Sequence, residues 1–223
     1  YGEFGLKGFL AGNSGVQMGG WFKKEINSLE DFKGLKMRIP GLGAEVINRM
    51  GATAVALPGG EIMPSLQSGA IDALEWVGPY NDLAFGIHKA SKFYYYPGWH
   101  EPGGVLDCFI NLEKWNSLPK DLQKIVETSA IATTQRITNE MIAGNNQALE
   151  ILIKEHKVKL KPFPDNVLKE LFVLSDKVMK KLISSDPLSK EVYNSIINFR
   201  NLSIKRSEVS ELKFLEARSK FVI

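Results

Sequence analysis

Arg38 is the residue of this chain whose type and position most clearly suggest chemistry. It lies in an apolar segment, residues 34–39, that runs directly into Pro40 and Gly41. Because proline and glycine end a strand, Arg38 is expected at the C-terminal end of that strand, where open α/β sheets bind their ligands. A guanidinium there is suited to bind a carboxylate or phosphate through two parallel hydrogen bonds. A surface ion pair would explain the same residue equally well.

A second candidate is the acid Glu75, which lies inside an otherwise apolar strand predicted over residues 71–77. It is followed by Trp76, and the strand is closed by Gly78 and Pro79. A carboxylate in such a strand is costly to bury unless it is paired or bound to a cation. The sequence therefore predicts a partner for Glu75.

Two loops supply further polar and aromatic groups. Trp99, His100 and Glu101 lie between glycines and prolines in residues 97–104, and Gln17 lies in the glycine-rich turn 12–21. Oxygen donors from Gln17, Glu75 and Glu101 would suit a hard cation such as Na⁺ or Ca²⁺. Such a cation would bridge the two acids to an anion held by Arg38.

Other chemistries receive less support from the sequence. Glu75 and Glu101 resemble the carboxylate pair of a glycosidase, one as acid and one as nucleophile or base, and this alternative stays open. The three histidines lack the spacing of a zinc motif, and the glycine turns do not fit a nucleotide-binding motif. Cys108, in an apolar strand, is expected to be a small core residue rather than a nucleophile.

The composition is that of an ordinary globular protein. Of 223 residues, 44% are hydrophobic and 24% charged, and the net charge of +3 is never concentrated in a basic block, which argues against nucleic acid as a partner. One cysteine excludes an internal disulfide. The chain begins at Tyr1 without a signal-like segment, so we expect a mature product or a fragment.

Glycine divides the chain into two halves, since only Gly144 lies after Gly104. In the first half, strands and helices alternate, an order that predicts an α/β fold with a mainly parallel sheet. The predicted strands are 37–39, 54–57, 71–77, 93–96 and 105–111. The predicted helices are 44–50, 61–67 and 80–92.

The second half is predicted to be mainly helical. Apolar residues at helical spacing follow the start signal Ser117-Leu118-Pro119 and predict one long or broken helix ending near residue 156. A short strand over 157–163 and a helix over 165–184 follow. A last helix over 186–221 is apolar enough to pack either against a second protomer or back onto its own chain.

Three motifs together resemble the DctP-type solute receptors of TRAP transporters. They are Gly34-Leu-Lys-Met-Arg-Ile-Pro-Gly41, the segment 51–61 and the segment 66–76. The run Tyr94-Tyr-Tyr-Pro-Gly-Trp-His-Glu-Pro-Gly103 and the segment 115–119 are similar to the branch that binds 2-oxo and 2-hydroxy monocarboxylates.

The resemblance implies a fold of the type II periplasmic-binding-protein class, with hinge strands and a long helical C-terminal region. Residues 1–75 and 104–163 would form the α/β lobe that carries Arg38. Residues 76–103 would form the hinge and part of the second lobe, the rest of which would precede Tyr1. Residues 164–223 would form C-terminal helices that could dimerise.

The resemblance also implies roles and partners. Arg38, Trp76 and Trp99 would contact the substrate, and Gln17, Glu75, the Trp76 carbonyl and Glu101 would hold the Na⁺ or Ca²⁺ ion. The protein would be a periplasmic receptor, not an enzyme, that delivers a pyruvate- or lactate-like acid to TRAP membrane subunits and forms a homodimer through its C-terminal helix. A carboxylate-pair hydrolase and a helical interaction module are the alternatives.

Overall fold

The computed structural model describes residues 1–221, in which short strands alternate with helices. The strands are β1 (Leu6–Asn13), β2 (Gly20–Phe22), β3 (Lys36–Arg38), β4 (Thr53–Val55), β5 (Ala73–Leu74), β6 (Phe93–Tyr96), β7 (Val105–Asn111) and β8 (Lys159–Pro162). The α-helices are α1 (Gly41–Arg49), α2 (Gly59–Ser68), α3 (Pro79–Phe85), α4 (Leu112–Ser117), α5 (Lys120–Lys154), α6 (Asp165–Ser185), α7 (Pro187–Ser207) and α8 (Glu211–Phe221).

Six of these strands form one mixed sheet in the order β4-β3-β5-β2-β6-β8. The pairs β3–β4, β3–β5 and β6–β8 are parallel, whereas β2 runs antiparallel to both of its neighbours. The predicted α/β class with a mainly parallel sheet is thus confirmed. Because β3 and β5 are parallel and adjacent, their C-terminal ends meet at the same edge of the sheet, with Arg38 opposite Leu74.

The core lies against this sheet and is built from aliphatic and aromatic side chains. The buried cluster comprises Trp21, Ile62, Leu66, Ile71, Leu74, Ile87, Tyr94, Leu152 and Val158. Trp21 of β2 and Tyr94 of β6 stack with ring centroids 4.0 Å apart. Burying side chains of this size contributes about 1.5–3 kcal/mol each, so the cluster fixes the six-stranded sheet on which the polar residues are mounted.

A separate antiparallel ladder joins β1 to β7, with Leu6 opposite Asn111 and a register shift between Leu10 and Gly12. The strand β7 has the bounds that the sequence predicted. The expectation that Cys108 is a core residue is wrong, because its side chain is exposed on this ladder. An apolar strand pattern does not tell whether both of its faces are covered.

Helix α5 is continuous, and α3 packs against its side. Tyr80 lies so close to Gly144 of α5 that a Cβ there would approach its ring to 2.8 Å. The backbone N–H of Tyr80 also donates to the side chain of Asn145, at 2.9 Å. The only glycine of the helical half therefore has a packing role: it lets the start of α3 rest on the helix.

Several element boundaries differ from the sequence prediction. Strand β5 is only two residues long, so Glu75 follows it instead of lying inside it. The helix predicted over 80–92 ends at Phe85, because Gly86 takes a positive φ of 79°, and a short 3₁₀ turn, Ile87–Lys89, continues the chain. The last predicted helix is divided into α7 and α8. The strands β1 and β2 were not predicted.

The chain divides into two compact units, residues 1–174 and the chain from Ser175 onward. Strand β6, from the segment assigned to the hinge, is a member of the six-stranded sheet, while β7 pairs only with β1. The assignment of segments to lobes stays a prediction. None of the helices within residues 1–221 is long and apolar enough to cross a membrane.

A buried acid ties three elements of the first unit together. Asp82 of α3 accepts hydrogen bonds from Trp21 Nε1 at 2.8 Å, from the Tyr94 hydroxyl at 2.6 Å and from the Val77 N–H at 3.3 Å. Burial raises the pKa of Asp82 to about 6, against the lowering effect of these donors. The network holds the segment after β5, which carries Glu75, in place.

The raised pKa of Asp82 predicts an unusual pH dependence of stability. Because the folded state binds this proton more tightly than the unfolded state, the contribution of Asp82 falls as pH rises from about 4 to about 6. The variant Asp82→Asn, which cannot titrate, is the reference. We expect the difference in unfolding free energy, wild type minus variant, to fall by at most about 3 kcal/mol across this window. Urea unfolding followed by tryptophan fluorescence at several pH values measures this difference. A difference that stays constant between pH 4 and pH 7 would contradict the prediction.

Candidate functional site

Arg38 is the last residue of β3, and Ile39 and Pro40 separate it from the start of α1. Its Nη1 donates to Glu75 Oε1 at 2.5 Å and to the Glu75 carbonyl at 3.0 Å, and its Nε donates to the Leu57 carbonyl at 3.3 Å. Only 12% of its side chain is exposed. The surface ion pair that the sequence left open is therefore not what is found, since the guanidinium is largely buried among acceptors from two neighbouring segments.

Glu75 is held on both of its carboxylate oxygens. Oε1 accepts from Arg38, and Oε2 lies 3.1 Å from His100 Nε2. Only 3% of the Glu75 side chain is exposed, and a carboxylate buried to this degree without partners would be strongly destabilising. The prediction that Glu75 needs a partner is confirmed, and the partner is Arg38.

Gln17 and Glu101 approach each other around Gly104. A Cβ at Gly104 would lie 2.8 Å from Gln17 Nε2 and 3.0 Å from Glu101 Oε1. The Gln17 amide donates to Ser14 Oγ at 3.2 Å. Its oxygen Oε1 is buried and, among the described residues, has no hydrogen-bond partner. An unsatisfied buried acceptor of this kind is uncommon and is what a bound cation would require.

The two tryptophans contact different members of the charged cluster. The Trp76 ring stacks on Phe85 at 5.0 Å, and the Arg38 guanidinium carbon lies 5.2 Å from its centroid. Trp99 is half-buried and meets the His100 ring edge-on at 5.3 Å. Trp76 is thus brought into contact with Arg38, whereas Trp99 contacts the site through His100.

His100 is the residue that the sequence analysis did not place in the site. Its side chain is 6% exposed. One ligand atom from each of Glu75, His100 and Glu101 lies within 4.8 Å of the others. The sequence analysis included His100 in the candidate loop 97–104 but gave it no role of its own, although its position between two predicted site residues was a usable signal.

A cavity of about 260 Å³ adjoins these residues and the N-terminus of α1. Its lining consists of Pro40, Gly41, Leu42, Gly43, Glu75, His100 and Glu101. Arg38 is not among the described residues that line it. Glu75 and His100 therefore line the cavity directly, whereas Arg38 is connected to it through its contact with Glu75.

The donor set fits a hard cation. The unpartnered Gln17 oxygen and the carboxylate oxygens of Glu75 and Glu101 are the ligand type that Na⁺ and Ca²⁺ prefer. The Trp76 carbonyl is available from the same segment as Glu75. Arg38 places a fixed positive charge beside the acids, which favours an anion as the companion ligand.

Comparison with known proteins assigns the chain to a family. Residues 3–186 match the DctP family, described as bacterial extracellular solute-binding protein, family 7. The chain belongs to this family. DctP proteins are solute-binding receptors, which is not an enzyme class.

A curated relative points in the same direction. The monocarboxylate 2-oxoacid-binding periplasmic protein of a Nostoc species is 45% identical over 96% of this chain. The match spans 58% of that protein, so the chain corresponds to little more than half of its length. The activity and partners of the whole relative therefore enter only as proposals.

Solved structures of similar proteins share the fold closely. A TRAP periplasmic solute-binding protein from Colwellia psychrerythraea, with bound calcium and pyruvate, gives a TM-score of 0.93 at 40% identity, over 97% of this chain and 66% of that one. One from Pseudoalteromonas atlantica, with bound sodium and pyruvate, gives 0.92 at 37% identity, with the same coverage. A protein from Bordetella bronchiseptica, a mixed-occupancy dimer with copurified calcium and picolinate, gives 0.94 at 33% identity, over 100% of this chain and 66% of that one.

The comparisons confirm the family and the fold that the sequence predicted. The expected cations, Na⁺ or Ca²⁺, are those bound with pyruvate in two of these structures. The roles of the individual residues stay predictions.

The close packing around Gln17 generates a testable prediction. A Cβ at Gly98 would lie 2.3 Å from the Gln17 carbonyl oxygen, so Gly98→Ala must displace that backbone. We expect a loss of about 1–3 kcal/mol of unfolding free energy, measured by denaturant unfolding. The control is Gly60→Ala in α2, where a Cβ would meet nothing within 4 Å. Equal stability of the two variants would contradict the prediction.

Proposed function

We propose that this chain is part of a periplasmic receptor that binds a small 2-oxo or 2-hydroxy monocarboxylate together with Ca²⁺ or Na⁺ and delivers it to a TRAP membrane transporter. The observation that carries the proposal is the buried Arg38–Glu75 pair, in which Glu75 lines a cavity of about 260 Å³ together with Glu101. Gln17, whose Oε1 has no hydrogen-bond partner among the described residues, lies near Glu101 around Gly104. A volume of this size suits a ligand with few heavy atoms.

Each residue would have a defined task. Arg38 binds the ligand carboxylate, and Trp76 and Trp99 supply apolar surface beside it. Gln17 Oε1, Glu75, the Trp76 carbonyl and Glu101 hold the cation. A carboxylate with an adjacent carbonyl or hydroxyl oxygen can share that cation, which explains a preference for 2-oxo and 2-hydroxy acids over simple carboxylates.

The charge balance favours Ca²⁺ when both acids participate. Glu75, Glu101 and the ligand carboxylate carry three negative charges against the single positive charge of Arg38, which leaves two to be neutralised. When Glu101 faces away, one remains, and Na⁺ serves equally well. The structures with bound calcium and with bound sodium in similar proteins are consistent with both cases.

The alternative of a carboxylate-pair hydrolase is less well supported. Both oxygens of Glu75 already have partners, Arg38 and His100. A general acid or nucleophile needs an oxygen that faces the reacting bond. The arrangement therefore favours binding without catalysis.

Dimer formation belongs to the same proposal. Helices α7 and α8 carry many exposed apolar side chains, among them Phe199 at 74% and Leu202 at 69% exposure. Large exposed apolar surface is typical of protein–protein interfaces, and a similar protein from Bordetella bronchiseptica is a dimer. We propose that these helices contact a second protomer. The helical interaction module named as an alternative would then be this dimer contact within the receptor.

Calorimetric titration with pyruvate and lactate, in the presence and absence of Ca²⁺ or Na⁺, tests the binding site. We expect cation-dependent binding that Arg38→Ala weakens at least about 30-fold, because a buried charge-assisted contact is worth about 2 kcal/mol or more. Arg38→Lys, which keeps the charge but not the fork, should weaken it less. The control Arg49→Ala removes an exposed arginine paired with Glu45 and should leave the affinity unchanged. Binding that survives in Arg38→Ala, or that ignores the cation, would contradict the site.

Sedimentation velocity tests the dimer. We expect a dimer that Phe199→Glu and Leu202→Glu convert to a monomer, because a charge placed in an apolar interface must be desolvated. Asn201→Glu, on the same helix and already exposed, is the control and should remain dimeric. A dimer that persists in the double variant would exclude this interface.

A further inference from the structure

His100 contacts the most heavily used side chain of the site. Its Nε2 lies 3.1 Å from Glu75 Oε2, and both side chains are more than nine-tenths buried. The other oxygen of the same carboxylate is bound by Arg38. Glu75 is therefore held between a guanidinium on one oxygen and an imidazole on the other.

The tautomer of His100 follows from its surroundings. A carboxylate that pairs with Arg38 is an acceptor only, so the imidazole hydrogen must lie on Nε2 to form this bond. In the neutral imidazole the other nitrogen, Nδ1, is then a bare acceptor. It is buried and has no hydrogen-bond partner within the described part of the chain. An apolar residue would fill this place without leaving an unpaired acceptor, so the one polar interaction that this imidazole makes among the described residues is its contact with Glu75.

We propose that His100 is a positioning residue that fixes the orientation of the Glu75 carboxylate between Arg38 and the cation site. This proposal rests on the proposed function and adds to it a residue that does not itself bind substrate or cation. Nη1 of Arg38 is engaged by the Glu75 carbonyl and by Glu75 Oε1, so the orientation of the Glu75 carboxylate determines which face of the guanidinium a ligand carboxylate can use. With Oε2 fixed by His100, the Glu75 carboxylate keeps Oε1 on the arginine and stays close to Glu101. One potential metal-ligating atom from each of Glu75, His100 and Glu101 lies within 4.8 Å of the others.

Partners that orient a metal ligand typically contribute 10- to 100-fold to metal affinity. We therefore expect His100→Leu to weaken the binding of Ca²⁺ or Na⁺, titrated alone into the protein, by that factor. His100→Gln, whose amide N–H can replace Nε2–H, should restore affinity to within about threefold of the wild type. Rescue by the glutamine distinguishes a hydrogen-bonding role from a packing role.

The matched control is His88→Leu. His88 is also buried and, in the part of the chain that the structure describes, its Nδ1 also has no hydrogen-bond partner. Its ring stacks on His156 with centroids 3.9 Å apart. It should alter thermal stability without changing cation affinity. If His100→Gln loses as much affinity as His100→Leu, or if His100→Leu binds as the wild type does, the positioning role is refuted.

A second measurement needs no ligand. Long-range ¹H–¹⁵N correlation spectra report the tautomer of each histidine. We expect the Nε2–H form for His100 in the wild type. In Glu75→Leu, which lacks the acceptor for Nε2–H, we expect this preference for one tautomer to be lost. The Nδ1–H form would overturn the proposal. So would a wild-type preference for Zn²⁺ or Ni²⁺ over Ca²⁺ that His100→Gln abolishes, because this would make the imidazole a direct ligand.

The outcomes also distinguish failure of the proposed function from failure of the role proposed for His100. A wild-type chain that binds neither cation nor pyruvate contradicts the proposed function itself, and the role of His100 with it. Wild-type binding that His100→Leu leaves unchanged contradicts only the role of His100.

Discussion

The buried ion pair between Arg38 and Glu75 is the interaction on which the site depends. Neither charge can be removed from water without a partner, and the pair has further acceptors in the carbonyls of Leu57 and Glu75. The parallel pairing of β3 with β5 supplies the geometry, since it brings the ends of both strands to one edge of the sheet. The sheet topology therefore brings the two charges together. The cavity lies beside Glu75, at the N-terminus of α1.

Support for the pair comes from a second buried acid that does not face the cavity. Asp82 holds the N–H of Val77, two residues after Glu75, while Trp21 and Tyr94 anchor Asp82 to the core of the sheet. The short segment between β5 and α3 is thus fixed at its beginning by the ion pair and at its end by this network. The backbone carbonyl of Trp76, which lies between the two, is given a defined direction without any regular secondary structure.

The sequence predicted those features that depend on local signals. Arg38 lies at the end of its strand because Pro40 and Gly41 follow it. The strand β7 has the predicted bounds because Gly103 and Gly104 precede its apolar run and Asn111 caps the helix that follows. Features that depend on distant residues were missed: β1 requires pairing with β7, about a hundred residues away, and the role of His100 requires Glu75. The break between α7 and α8 contains neither proline nor glycine, so no local signal marked it. Cys108 was misjudged because an apolar pattern does not show which face is covered.

The charges of the site imply that the two proposed ligands depend on each other. A ligand carboxylate that approaches Arg38 meets a guanidinium whose Nη1 is engaged by Glu75 at 2.5 Å, so the two carboxylates would share one positive charge. A cation beside Glu75 would supply a second positive charge and offset the repulsion between them. Each ligand would thereby raise the affinity of the other, and by linkage the effect would be reciprocal, typically 1–3 kcal/mol for coupled sites. The proposed receptor would discriminate against carboxylates that arrive without an oxygen to share the cation, because they would gain the arginine contact but not the coupling.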